Sequence, residues 1–125
     1  MNNENLKQFA NQKYLNIESY RKSGQPVQTP VWFAEEGGLF YVYSLVDAGK
    51  VKRVRNNPEI KVAPCDMRGK TKGVWVAARA RIGAEAEAKH GHRLLDQKYG
   101  LIKRIGNIFS KLRGKKHAVI IIEVL

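Results

Sequence analysis

Six stretches of the chain carry the apolar, β-favouring pattern of strands, and each is bounded by turn residues. They cover residues 14–21, 29–34, 39–44, 59–66, 74–82 and 117–124. The alternation is cleanest in 74–82, where Ala78, Ala80 and Ile82 share one face and Arg79 and Arg81 the other. The last stretch is apolar enough to be buried on both faces. Residues 22–26 read as a turn, and Glu35-Glu36-Gly37-Gly38 as a second one. Residues 68–73 form a basic loop.

Helical spacing appears in four places. Residues 3–12 place Leu6, Phe9 and Ala10 on one face. In residues 48–55 the apolar Ala48, Val51 and Val54 turn towards a sheet and the cations turn out, until Asn56-Asn57-Pro58 stops the helix. Residues 84–99 are helical in composition, with Gly91 as a weak point and Gly100 as a C-terminal stop. A further basic helix is expected over about 101–112. Short strands joined by hairpins in so short a chain predict a closed or nearly closed antiparallel barrel, mainly β with helices. With 125 residues, one domain spanning 1–125 is expected.

Composition narrows the class. The net charge is +12, and the cations gather in two clusters. Lys50, Lys52, Arg53 and Arg55 form one; Lys103, Arg104, Lys111, Arg113, Lys115 and Lys116 form the other. Such clusters serve as a solvated surface, as a nucleic-acid footprint or as a site for a polyanionic small molecule. Cys65 is the only cysteine, so no internal disulfide is possible, and a half-buried structural thiol is the expected reading. No apolar run reaches membrane-spanning length and residues 1–5 do not resemble a signal peptide, so a soluble cytoplasmic protein is expected.

The search for catalytic side chains returns little. His90 and His92 diverge on a helix, and no cysteine or carboxylate pattern completes a metal site with them or with His117. Glu85 and Glu87 are surface acids beside a helix start, where the dipole favours them. No nucleophile elbow, phosphate-binding loop of the P-loop type or dinucleotide fingerprint is present. What remains is the hairpin of residues 29–44 running into Gly49-Lys50 at a helix start, where backbone N–H groups and lysines can hold a phosphate. Trp32, Phe33, Tyr41, Tyr43 and Trp75 are candidates to pack against a flat ring, although strand aromatics are commonly core.

Three segments carry a resemblance. Residues 21–33 (RKSGQPVQTPVWF), together with Tyr43-Ser44 and the run 49–58 (GKVKRVRNNP), resemble a signature of the pyridoxamine-phosphate-oxidase-like, FMN-binding split barrels. Residues 94–100 (LLDQKYG) resemble the short subgroup of deazaflavin (F-420)-dependent enzymes. The resemblance extends from about Phe9 to Leu125. It implies a six-stranded antiparallel split β-barrel of the flavin-binding type. It also implies a homodimer with two cofactors, FMN or deazaflavin coenzyme F-420, in grooves built from both chains. Gln28, Thr29, Pro30 and Val31 would line the ring system, largely through backbone groups. Tyr43 and Ser44 would approach the ribityl chain or phosphate. Lys50 and Lys52 would hold the phosphate, Gly49 would let the backbone come close, and Trp75 would pack near the ring.

The chain also departs from the pattern. No equivalent of the C-terminal substrate-binding arginine and histidine is visible, so oxidation of pyridoxamine phosphate is not expected. Ser44 stands where Thr is usual, and Ala48-Gly49 stand where a relative can place a serine before the lysine. The expected function is an oxidoreductase moving hydride to or from a small organic substrate, with the cofactor performing the chemistry and the catalytic residues unassigned. The alternatives are a flavin- or haem-binding carrier or sensor without turnover, and a basic nucleic-acid-binding barrel, the less expected of the two.

Overall fold

A computed structural model describes residues 3–99 and 117–125. The elements run α1 (Asn3–Lys7), β1 (Tyr14–Tyr20), β2 (Pro26–Trp32), β3 (Ala34–Glu36), β4 (Leu39–Leu45), α2 (Gly49–Asn56), β5 (Glu59–Cys65), β6 (Val76–Ile82), α3 (Glu85–Tyr99) and β7 (His117–Val124). The strands form one antiparallel sheet in the order β2-β1-β5-β6-β7-β4-β3. The sheet curls until β2 touches β4, giving a half-barrel. Gly100 and the helix expected over 101–112 lie outside the described residues. Among the described residues no helix is long and apolar enough to cross a membrane.

The number of strands corrects the expectation of six. Residues 29–34 read as one run, but β2 ends at Trp32 and a short β3 begins at Ala34. β2 pairs with β1, whereas β3 pairs with β4. Phe33 lies between the two ladders. Its N–H donates to the Tyr99 hydroxyl (3.2 Å), and its C=O accepts from Lys98 Nζ (2.7 Å). Side chains from α3 thus satisfy the backbone groups that a ladder would have used. Glu35 and Glu36 join β3, and the turn narrows to Gly37 and Gly38, with φ of +62° and +82°. Those angles are the left-handed geometry that glycine adopts without a Cβ penalty.

Alternation sorts the side chains. Leu15, Ile17, Phe40, Val42, Ile60, Val62, Ala78, Ala80, Ile120 and Ile122 face inwards and form the main core. On the outer face, Tyr41, Val119 and Ile121 are covered by α3. The two ends of the barrel are closed by helical segments. Phe9, in the turn after α1, packs on Phe40 with ring centroids 4.8 Å apart, while Ala10 is exposed, contrary to the expected helix face. Val51 and Val54 bury one face of α2 at the other end, as their spacing predicts. β6 begins at Val76, so Trp75 precedes the strand and is half-buried. Cys65 is buried, and burial pushes its thiol up to about 11, which suits a structural role.

Candidate functional site

α2 follows directly from β4, and its start is unusual. Ala48 stands at the N-cap in an extended conformation and offers no capping oxygen, and the first turn holds no acid. The leading N–H groups of a helix have no intrahelical acceptor and carry its positive end. Gly49 leaves room for the Arg53 guanidinium beside the helix start: a Cβ at this position would stand 2.8 Å from Arg53 Nη1.

Cations gather around this start. Lys50 is half-buried, and burial, then the nearby Arg53 charge, lowers its pKa. Arg53 Nε donates to the buried Ser19 hydroxyl (2.7 Å), and burial, then Arg21, weakens its hold on its proton. None of the ion pairs among the described residues includes Lys50, Arg53 or Arg21. Like charges held together at partial burial are unfavourable until an anion joins them.

The spacing along α2 decides which lysine takes part. Residues three apart lie on one side of a helix, whereas residues two apart diverge. The structure therefore brings Lys50 together with Arg53, while Lys52 is exposed to solvent. Arg53, Arg21 and Ser19 escaped the sequence reading as site residues. The Lys50/Arg53 spacing was the available signal; Ser19 and Arg21 are recognisable only once β1 is laid beside α2.

β2 adjoins this nook, because Ser19 pairs with Val27, one residue before Gln28. β2 is an edge strand, so alternate backbone groups along it are not engaged by a neighbouring strand. Gln28 and Pro30 lie on the outer side, and Gln28 Nε2 donates to Glu18 Oε1 (3.1 Å). The other Glu18 oxygen accepts from the Tyr20 hydroxyl (2.8 Å). Burial, then the Glu18 hydrogen bond, pushes the Tyr20 phenol up to about 12. Thr29 is half-buried opposite Ile17, and Val31 packs on the core.

β4 sends its two candidate residues to opposite faces. Ser44 is buried, its hydroxyl donating to Leu45 O (3.3 Å). Tyr43 faces α3 and lies between His92 and His117, at ring-centroid distances of 5.2 and 5.0 Å. The two side chains do not converge on one ligand. Trp75 leads into β6, which β1 and β5 separate from β2 in the sheet. Among the described residues, no three histidine, cysteine or carboxylate side chains come together as a metal site.

The combination of a curled antiparallel half-barrel, an uncapped cationic helix start and an edge strand beside it agrees with a sequence-level match. A family model described as pyridoxamine 5'-phosphate oxidase matches residues 2–124. The chain belongs to this family. Solved structures extend the likeness at the level of fold. A FAD-binding protein from Mesorhizobium loti aligns over all of this chain and 90% of its own, with TM-score 0.66 and 18% identity. HutZ, the heme storage protein from Vibrio cholerae, aligns over 98% of this chain and 87% of its own, with TM-score 0.63 and 13% identity. A heme binding protein from Mycobacterium smegmatis aligns over 97% of this chain but 50% of its own, with TM-score 0.70 and 13% identity. No curated protein sequence matches this one. Family membership thus comes with a fold that serves both flavin and haem proteins.

Proposed function

We propose that the chain binds FMN or the deazaflavin coenzyme F-420 and passes hydride to or from a small organic substrate. The observation that carries this reading is the cationic nook of Lys50, Arg53 and Arg21 at an uncapped helix start. A cofactor phosphate would offset the like charges of this nook, so the residues present fit that end of the molecule. Lys50 and the first N–H groups of α2 bind it, with Gly49 leaving room for Arg53 and Ser19 orienting its guanidinium. The edge-strand backbone of Gln28, Thr29, Pro30 and Val31 offers hydrogen-bonding groups to a flat ring. When bound, the cofactor supplies the hydride chemistry, and the protein contributes position, charge and exclusion of water.

In this reading two copies assemble as a homodimer, with the grooves between them completed by both chains. The absence of an acid–base dyad among the sequence motifs is compatible with chemistry that resides in the cofactor. A carrier of flavin or haem without turnover is the second reading, favoured by the likeness to the two haem proteins. Nucleic acid is the weakest candidate partner.

The test is a visible spectrum of the purified protein after incubation with FMN, F-420 or haemin and desalting. Retention of a flavin or deazaflavin band, followed by turnover with a dye acceptor, supports the oxidoreductase. A retained Soret band alone supports the carrier. A colourless protein that instead binds random oligonucleotide with a steep salt dependence refutes both.

A further inference from the structure

At the end of the barrel away from α2, a cleft of about 510 Å³ opens between α1, the crossing at Phe33 and the end of α3. Leu6, Phe9, Phe33 and Phe40 supply apolar walls. The three rings brace one another, with centroids 6.2 Å apart for Phe9–Phe33 and 5.2 Å for Phe33–Phe40. Lys98 lines the same space. Although much of the residue is exposed, its ammonium lies 3.7 Å from the centre of the Phe33 ring and donates to Phe33 O at 2.7 Å.

An ammonium has three protons to donate, and this one spends a single proton on a carbonyl. Lys98 forms no ion pair among the described residues. Glu35 borders the cleft but is engaged elsewhere, accepting from Gly38 N–H in the hairpin turn (3.1 Å). A cation beside apolar rings, with donors in hand and no anion at bonding distance among the described residues, matches one class of ligand. We propose that this cleft binds a small apolar monocarboxylate, its carboxylate on Lys98 and its hydrocarbon body against Phe9, Phe33 and Phe40. The volume lies in the ordinary range for small-molecule sites. The exposed Lys7 also lines the cleft, so with Lys98 and Glu35 the lining carries one net positive charge, which suits a monoanion over a phosphate or a dicarboxylate. The site shares no residue with the cofactor nook, so it stands or falls independently of the proposed function.

The test is an NMR titration of the full chain with 3-phenylpropionate and, in parallel, with the neutral 3-phenyl-1-propanol. Saturable shifts at the Phe9, Phe33, Phe40 and Lys98 resonances are expected with the acid. The alcohol binds about ten- to a hundredfold more weakly, the worth of one charge-assisted contact. Burial holds Lys98 down at about 8, so acid affinity falls as pH rises through that value, while alcohol affinity does not. Lys98→Met keeps the stem and removes the preference for the acid. Equal affinity for acid and alcohol, a flat pH profile on the unaltered protein, or no saturation by about 10 mM overturns the proposal.

Discussion

Tyr99→Phe is the sharpest probe of how the barrel is held together. Tyr99 is 2% exposed at the end of α3, and its ring stacks on Trp32 at 5.3 Å and 19°. Its hydroxyl accepts from Phe33 N–H (3.2 Å) and lies 2.6 Å from Lys13 O and 2.8 Å from Phe33 O. One proton cannot serve both carbonyls, and Phe33 O already accepts from Lys98. The phenol therefore donates to Lys13 O and accepts from Phe33 N–H, joining the chain before β1 to the crossing between β2 and β3. Burial raises the phenol pKa, so it stays neutral and able to donate. Removing the oxygen leaves the ring packing intact and strands a buried N–H. An unsatisfied buried donor costs about 1–3 kcal/mol, so a loss of about 2 kcal/mol is expected. At about 2.1 cal/mol/K per residue of unfolding entropy, that lowers Tm by about 8 °C. Urea unfolding followed by Trp fluorescence measures it, with an unchanged m-value. A loss below about 0.5 kcal/mol would refute the assignment of this hydroxyl as the tie across the strand crossing.

Four further outcomes follow from named contacts. Lys50→Ala lowers cofactor affinity about ten- to a hundredfold without lowering Tm, because it removes a half-buried charge from beside Arg53; unchanged affinity in equilibrium dialysis counts against the phosphate nook. Gly91→Val costs about 1–3 kcal/mol by overpacking, since a Cβ there already meets Val119 Cγ1 at 3.0 Å and Tyr41 Cδ1 at 3.1 Å, both fixed in the sheet; denaturant unfolding reads it. Glu87 accepts from Arg81 (2.6 and 2.8 Å) and from Ala84 N–H (2.9 Å), which hold its carboxyl down at about 2 against an ordinary 4.5. Its contribution is present above about 4.5 and lost as pH falls towards 2, so Glu87→Gln flattens that part of an acid titration of Tm. Lys98 acts with the same sign in the alkaline range. With a native value of about 8 against 10.5, the unfolded chain binds more protons between the two, so this group makes stability rise with pH across that window. The rise is absent in Lys98→Met.

Much of the fold is legible in the sequence because strand periodicity is local. His117–Val124 has the bounds its apolar run predicts, and Val76–Ile82 buries Ala78 and Ala80 and exposes Arg79 and Arg81 as its alternation requires. The inward face of α2 follows in the same way from Val51 and Val54. Gly91 shows where local reasoning stops: helix propensity marks it as a weak point, but its lack of a Cβ is what lets α3 lie against Tyr41 and Val119. The candidate site divides similarly. Gly49 and Lys50 at a helix start are readable from the chain, whereas Gln28 to Val31 enter only through the family resemblance.

What the amino-acid order determined by itself is most of the strands, the inward faces of α2 and β6, and the family, since each depends on residues close together in the chain. What only the tertiary structure decided are the break at Phe33, the partnership of Lys50 with Arg53, Ser19 and Arg21, and the cleft at Lys98. Each joins groups from separate elements, 66 residues apart for Phe33 and Tyr99. Long-range contacts are set by how the sheet curls and which ladder a strand joins, and no local period encodes that choice.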